Sequence, residues 1–210
     1  RAPAHVAVLP SIGVNTRRRA GSIALLVALA WGPAAPAASA AAIAWTVDPA
    51  HSQLTFHPRL AGGEFAGRFE RFDATIRFDP VDLAHSSLLV VVDLLGARTG
   101  DTDRDTALQG SDFFQTTRWP TGTFTSTGIK SLGGDRFEAT GKLTLRDVTR
   151  DVRVQFRFNP AAPSGGAARM TGTLNLRRLE FGVGQGDWRS TEWLDDAVRV
   201  EFDLLLRSAR

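Results

Sequence analysis

The chain contains no cysteine and no tyrosine among its 210 residues. The absence of cysteine excludes disulfide bonds, thiolate metal sites, covalent haem attachment and a cysteine nucleophile. Without tyrosine, the 13 Phe and 5 Trp residues provide all of the aromatic packing. No apolar run after residue 42 approaches the roughly 20 residues that a membrane-spanning helix needs, so we expect the mature protein to be soluble.

The first 42 residues have the layout of a cleaved secretory signal peptide. Arg17, Arg18 and Arg19 form a positive region, residues 22–31 form a short apolar run, and A-x-A cleavage sites end at Ala40 or Ala42. We therefore predict a mature domain over residues 43–210 and a periplasmic location. The choice between the Sec and twin-arginine export routes stays open, and a retained N-terminal anchor helix is the alternative.

The charge of the chain depends on this signal segment. Without the four arginines of residues 1–42, the 25 basic residues fall to 21, against 22 acidic ones. The basic character of the whole chain thus belongs to its export signal. Charges of both signs alternate along the remaining sequence, which argues against a nucleic-acid partner.

From Trp45 onward the apolar residues recur with a period of two, the pattern of β-strands with one buried face. The clearest runs cover residues 72–78, 137–145, 152–158, 170–176 and 198–206. We predict an all-β fold: an eight-stranded antiparallel barrel, closed so that no edge strand stays unpaired. A two-sheet sandwich is the alternative. One short helix is predicted over residues 101–108, with Thr102 as N-cap and Asp105 in the capping-box position.

A barrel of eight strands is near the size at which its interior is either filled or holds one small ligand. Six small residues fall in phase with large apolar ones and would leave space if they faced inward: Ala74, Ser126, Gly128, Ala139, Gly141 and Gly172. The alternative is that they allow strand bends or close backbone packing. The sequence leaves these two interpretations open.

The sequence offers little for catalysis or metal binding. His51, His57 and His85 are widely separated and lack the short spacing of metal ligands. Asp101, Asp103 and Asp105 lack the glycine and the terminal glutamate of a calcium loop. We therefore predict no catalytic residue, no metal site and no enzyme activity.

Five strings, in order, resemble the YceI-like periplasmic lipid-binding family: DPAHSQLTF (48–56), TGDTDRD (99–105), SDFFQTTRWPTGTFTSTG (111–128), TGKLTLRDVTRDV (140–152) and RRLEFGVGQGDW (177–188). The segment FHPRLAGGEFAG (56–67) departs from the family pattern, because it lacks a histidine at the matching position. No head-group contact is carried over from that segment.

The resemblance implies an extended, lipocalin-like barrel that holds a long isoprenoid or related lipid, with an isoprenoid quinone as one candidate, and requires no cofactor. It also implies a membrane b-type cytochrome as a partner, while a homodimer stays open. The expected ligand-binding residues are the wall positions Phe72, Ile76, Val92, Phe124, Leu143, Val154, Phe156, Leu174 and Phe202, and the mouth positions Phe181 and Trp188. The alternative function is an interaction module that docks on the cytochrome or an envelope complex without a bound lipid.

Overall fold

A computed structural model describes residues 42–160 and 166–209. The predicted signal segment, apart from Ala42, lies outside the described residues. The strands are β1 Ala44–Val47, β2 Gln53–His57, β3 Arg59–Leu60, β4 Gly63–Glu64, β5 Gly67–Phe69, β6 Phe72–Arg77, β7 Ser87–Asp93, β8 Ala97–Arg98, β9 Thr121–Gly133, β10 Arg136–Leu145, β11 Val148–Pro160, β12 Ala167–Arg177 and β13 Ala197–Ser208. One α-helix, α1, runs over Thr102–Gln109, and one-turn 3₁₀ helices cover Pro49–His51, Leu83–His85, Leu94–Gly96, Arg178–Phe181 and Gly186–Arg189.

The strands form a closed antiparallel barrel. Eight strands follow one another around the ring in the order β1, β6, β7, β9, β10, β11, β12 and β13, and the pairing of β1 with β13 closes it. Closure gives every strand of the ring two hydrogen-bonded neighbours, as the alternating pattern predicted. The predicted eight-stranded barrel is confirmed, and the sandwich alternative is wrong.

Three short strands, β2, β5 and β8, extend the sheet from β13 beyond the ring. Strand β13 pairs with β1 through one half, Leu206–Ser208, and with β2 through the other half, Arg199–Asp203. Strand β2 then pairs with β5, and β5 pairs with β8. The barrel is therefore longer at this end, which is the end that also carries α1.

The N-cap of helix α1 lies one residue before the predicted Thr102, and the helix covers Thr102–Gln109 where residues 101–108 were predicted. Asp101, not Thr102, is the N-cap: its backbone is extended, and its carboxylate accepts a hydrogen bond from the backbone N–H of Arg104 at 2.9 Å. Asp105 does not complete a capping box, because its carboxylate accepts instead from the backbone N–H and the hydroxyl of Thr99. Among the described residues, no helix is long and apolar enough to cross a membrane.

The inward faces of the strands form two clusters of buried side chains, one toward each end of the barrel. The first cluster surrounds Phe78, Phe137, Phe156 and Phe158, near the β1–β6 and β1–β13 pairings. The second surrounds Phe56, Phe113, Phe114 and Phe181, beneath α1 and the loops that follow β8 and β12. We call the first cluster the filled end and the second cluster the open end. The space between the two clusters is not completely occupied by side chains.

Candidate ligand cavity

A cavity of about 550 Å³ lies inside the barrel between the two clusters. This volume falls within the roughly 300–1,000 Å³ that is usual for small-molecule sites. Its inner part is bounded by Ile76, Leu88, Met170 and Leu204 of the filled end. The wall is almost entirely apolar, so the cavity suits hydrocarbon far better than water or a polar metabolite.

Ten of the eleven residues predicted to bind a ligand line this cavity: Phe72, Ile76, Val92, Phe124, Leu143, Val154, Leu174, Phe181, Trp188 and Phe202. Phe156 does not. It faces inward, but its ring lies 5.5 Å from that of Phe137 and 5.4 Å from that of Phe78, inside the filled end. Alternation predicts which face of a strand is buried, whereas the position along the barrel decides whether a residue borders a cavity.

The filled end is closed by aromatic rings in mutual contact. Phe78 is fully buried, and its ring lies 5.0 Å from Phe137 and 4.8 Å from Phe158, in edge-to-face arrangements. Trp45 packs edge-on against Phe158 at 5.4 Å and donates its indole N–H to the carbonyl of Phe78. These packed rings lie in the same cluster as Ile76, Leu88, Met170 and Leu204, which form the floor of the cavity.

The small residues of the strands do not create the cavity, because none of the six lines it. A Cβ on Gly141 would come within 2.5 Å of the Thr125 carbonyl oxygen and 2.6 Å of the Phe124 ring. A Cβ on Gly172 would overlap the Gln155 carbonyl oxygen and the Phe202 ring. Both glycines thus admit a wall ring close to the backbone, which is the close-packing alternative.

Gly128 leaves the inward face for a different reason. The register of β9 against β10 shifts between Thr140 and Gly141, so that Thr140 pairs with Gly128 while Gly141 pairs with Ser126. One extra residue in β9 forms a bulge, and the alternation of faces changes there. Sequence periodicity cannot show such a bulge.

The open end is covered by three segments: the hairpin β3–β4, helix α1, and the loop over residues 182–196. The hairpin is attached to that loop, since Ala61 N–H donates to the Trp193 carbonyl at 2.6 Å and Asp195 N–H donates to the Arg59 carbonyl at 3.0 Å. The solvent-exposed residues of the cavity wall, Asp103, Ala107 and Trp188, lie on α1 and this loop. They mark the mouth of the cavity.

Arg178 fixes the loop over residues 182–196 from within. Its side chain is buried, and its guanidinium donates to the backbone carbonyls of Val183, Ser190, Leu194 and Asp195. Burial lowers the pKa of Arg178, while the nearby carboxylates of Asp195 and Asp196 oppose that effect. The donors of this arginine are committed to holding the loop.

Arg146 fixes the neighbouring loop in the same way. It lies in the β10–β11 turn with φ at 57°, and its guanidinium donates to the carbonyls of Ser111, Phe113 and Gly182. Phe113 also packs on Trp188 at 5.5 Å. The two arginines hold the loops after α1 and after β12 together, which positions Phe181 and Trp188 on the cavity wall. Neither arginine has a structural role that its sequence spacing predicts.

The histidines lie away from the cavity. His51 and His85 pair with Asp48 and Asp82, and His57 lies 3.3 Å from a carboxylate oxygen of Glu201. None of the three lines the cavity. In the described part of the chain, no group of three or more His, Asp or Glu residues is arranged to hold a metal ion.

The fold and the cavity together define a class of protein: a closed eight-stranded antiparallel barrel whose interior is an apolar cavity with a floor at one end and a mouth at the other. The profile of the YceI-like domain matches residues 45–206. The chain belongs to the YceI-like family.

Relatives of known sequence or structure agree with this assignment. A UPF0312 protein of Vibrio cholerae is 32% identical over 151 residues, which cover 70% of this chain and 80% of the relative. The crystal structure of BcnA from Burkholderia cenocepacia superposes with a TM-score of 0.72 at 30% identity and covers 76% of this chain and 98% of that one. A polyisoprenoid-binding domain from Saccharophagus degradans gives a TM-score of 0.63 at 15% identity, covering 80% and 99%, and at this identity it shows the fold alone.

Proposed function

We propose that this protein is a non-catalytic carrier that holds a long-chain isoprenoid or related amphiphilic lipid in the barrel. The observation that carries the proposal is the apolar cavity of about 550 Å³, with an apolar floor at the filled end and a mouth at the open end. The similar domain of Saccharophagus degradans is described as polyisoprenoid-binding, which supports the same ligand class.

The energetics favour a ligand of this kind. Each buried methylene contributes about 0.8 kcal/mol, so a five-carbon isoprene unit that enters the cavity gains about 4 kcal/mol. A few units therefore exceed the cost of ordering the ligand. A wall with almost no polar atoms also offers no set of converging acid, base or nucleophile, which supports binding rather than lipid chemistry.

The cavity imposes an orientation on such a ligand. The polar side chains of the wall, Thr99, Asp103, Arg104 and Arg178, all belong to the open end, whereas the floor is aromatic and aliphatic. A polar head group left among the floor residues would lose its hydrogen bonds to water. The tail therefore enters first, and the head group stays at the mouth.

A periplasmic location and the use of an isoprenoid quinone belong to the same proposal. The layout of residues 1–42 supports export, and a protein that moves lipid through an aqueous compartment needs an enclosed apolar cavity. A carrier of this type would exchange its ligand at a membrane, where a b-type cytochrome partner is one consumer of quinones.

The test is native mass spectrometry of the protein in the form that a bacterial host produces from the full chain. We expect a mass without residues 1–42 and a second species that is heavier by one lipid. Extraction into organic solvent would then identify that lipid from the repeat mass of isoprene units. A lipid-free protein that also takes up no added isoprenoid would contradict the carrier function and favour the docking module.

Two substitutions on one strand separate interior binding from surface binding. Leu143→Trp enlarges a buried wall residue and should abolish or greatly reduce lipid uptake. Lys142→Trp, its neighbour, adds the same ring on the outer face, where Lys142 pairs with Asp151 at 3.0 Å. Equal uptake by both folded variants would place the lipid outside the barrel.

A further inference from the structure

Three arginines surround the open end of the cavity, and their hydrogen bonds distinguish them. Arg178 and Arg146 donate to backbone carbonyls through several nitrogens and hold loops. Arg104, on α1, makes a single side-chain hydrogen bond within the described residues, from Nε to the Thr99 hydroxyl at 3.3 Å. The carboxylate of Asp101 lies 3.9 Å from its Nη2, beyond hydrogen-bonding distance.

Arg104 is also oriented by an aromatic ring. Its guanidinium carbon lies 4.7 Å from the centroid of Phe65, and both residues line the cavity. Stacking on a ring engages the face of the guanidinium and leaves the N–H groups along its edge available for a second partner. The side chain is 40% exposed, so a ligand at the mouth can reach it.

The other polar residues of the wall are less suited to hold a head group. The Thr99 hydroxyl donates to the Asp105 carboxylate at 2.7 Å, and the guanidinium of Arg178 is buried among carbonyls. Asp103 is exposed and offers only acceptor oxygens. The mouth therefore presents the two Nη groups of Arg104, which donate no hydrogen bond within the described residues, near the carboxylates of Asp101 and Asp103.

We infer that Arg104 is the head-group residue of this cavity and that the preferred ligand carries an anionic, acceptor-only head, a phosphate or a carboxylate, on its apolar tail. This inference rests on the proposed lipid-carrier function and specifies its ligand. A guanidinium edge binds such a head through two parallel N–H···O bonds, a geometry that an alcohol cannot reproduce and an amine opposes. The tail supplies most of the affinity, and Arg104 supplies the selectivity between heads.

The experiment uses three ligands with one tail: farnesyl phosphate, farnesol and farnesylamine. Each displaces N-phenyl-1-naphthylamine, a neutral apolar probe, from the protein that the host produces, after its own lipid has been removed. We expect the wild-type protein to bind farnesyl phosphate about tenfold or more tightly than farnesol, and farnesylamine most weakly. Arg104→Gln should remove the preference for phosphate and change farnesol affinity less than about twofold.

Two further variants separate head-group binding from a structural role. Phe65→Leu keeps the guanidinium but removes its ring support, and we expect an intermediate loss of the phosphate preference. Arg118→Gln is the matched control, because Arg118 also stacks on an aromatic ring, 4.5 Å from Trp119, but does not line the cavity. It should leave all three affinities unchanged.

Each outcome has one meaning. Failure of the wild-type protein to bind farnesol or any other probe contradicts the carrier function itself. Binding of farnesol with no phosphate preference, or a preference that survives Arg104→Gln, overturns the assignment of Arg104 while the carrier function stands. Tightest binding of farnesylamine would overturn it too and assign the head group to Asp103.

Discussion

The filled end and the open end of the barrel are formed by the same strands with the same alternation, yet one is packed and the other encloses space. At the filled end, the Phe78 ring lies 4.8 to 5.4 Å from the rings of Phe137, Phe156 and Phe158. The rings of Phe137 and Phe156 lie 5.5 Å apart. Around the cavity, inward positions of β7 and β13 carry valines, among them Val90, Val92, Val198 and Val200, and the buried rings of Phe113, Phe114 and Phe181 come from the loops that cover the open end. The cavity lies where inward strand positions carry aliphatic side chains and where the rings of Phe124 and Phe202 lie close over Gly141 and Gly172.

The two ends also differ in how they are closed. Ring contacts close the filled end, together with the hydrogen bond that the Trp45 indole N–H donates to the Phe78 carbonyl. The open end is covered by loops whose backbone carbonyls accept hydrogen bonds from Arg146 and Arg178. A loop held by directed hydrogen bonds keeps its shape without side chains that fill the space beneath it. The mouth residues can therefore be held in place while the cavity is left unfilled by side chains.

The largest effect is expected at the filled end, where Phe78→Ala should lower the free energy of unfolding by about 3–5 kcal/mol. Phe78 is fully buried and contacts three rings, so truncation leaves a cavity that its neighbours cannot fill. Phe72→Ala is the control, because Phe72 faces inward at the start of β6, the strand that Phe78 directly follows, but is half-buried and borders the cavity. Denaturant unfolding should give it about half that loss, and equal losses would mean that the two ends are packed alike.

The next effect tests the clamp at the open end. Arg178→Met leaves several buried carbonyls without their donor and should cost about 3 kcal/mol in unfolding free energy. Arg177→Met is the control. The Arg177 side chain is 71% exposed and pairs with Asp196 at 3.6 Å, and an exposed ion pair of this kind contributes roughly 1 kcal/mol or less to stability. Retention of full stability in Arg178→Met would show that the loop over residues 182–196 is held by its apolar contacts alone.

A smaller effect is expected at the boundary between the two ends. Gly172→Ala would push a Cβ into the Gln155 carbonyl oxygen and the Phe202 ring, and overpacking of this kind costs about 2 kcal/mol. Gly128→Ala is the matched control, because the closest atom to its new Cβ is the Thr140 hydroxyl at 3.5 Å, an ordinary contact. Thermal unfolding of the two variants should differ clearly, and similar melting temperatures would remove the explanation given for Gly172.

The sequence predicts the barrel well because alternation is a local property. The inward faces of β6 and β13, from Phe72 to Phe78 and from Val198 to Leu206, follow directly from it. The cap of α1 was misassigned because Asp101 and Thr102 are both good capping residues and only the backbone angles distinguish them.

The cavity itself could not be predicted, because it depends on long-range placement. Phe156 and Phe124 look equivalent in sequence, but one ring packs among Phe78 and Phe137 while the other turns over Gly141 and borders the cavity. Arg177 and Arg178 are adjacent and identical in type, yet Arg177 is exposed and Arg178 is buried. Only the folded loop shows that its donors are surrounded by carbonyl oxygens.

The smallest effect concerns the pairing of β1 with β13, which closes the ring at the filled end and is called the seam below. The Asp48 carboxylate accepts from Arg207 at 2.8 Å, and this hydrogen bond, followed by one from His51, holds its pKa below the ordinary value. A carboxylate with a lowered pKa in the folded state adds stability that is present above its unfolded pKa of about 3.9 and is lost as the pH falls through the folded value. Asp48→Asn should therefore lower the melting temperature at pH 7 and make much less difference at pH 3.

Asp151→Asn is the control for the seam, since Asp151 pairs with Lys142 but its side chain is 82% exposed. An exposed pair contributes little at any pH, so this variant should melt close to the wild-type protein throughout. If Asp48→Asn behaved in the same way, the hydrogen bonds between β1 and β13 and the ring contacts beneath them would be sufficient to hold the seam. The filled end would then be held by strand pairing and apolar packing, without a contribution from the ion pair of Asp48 and Arg207.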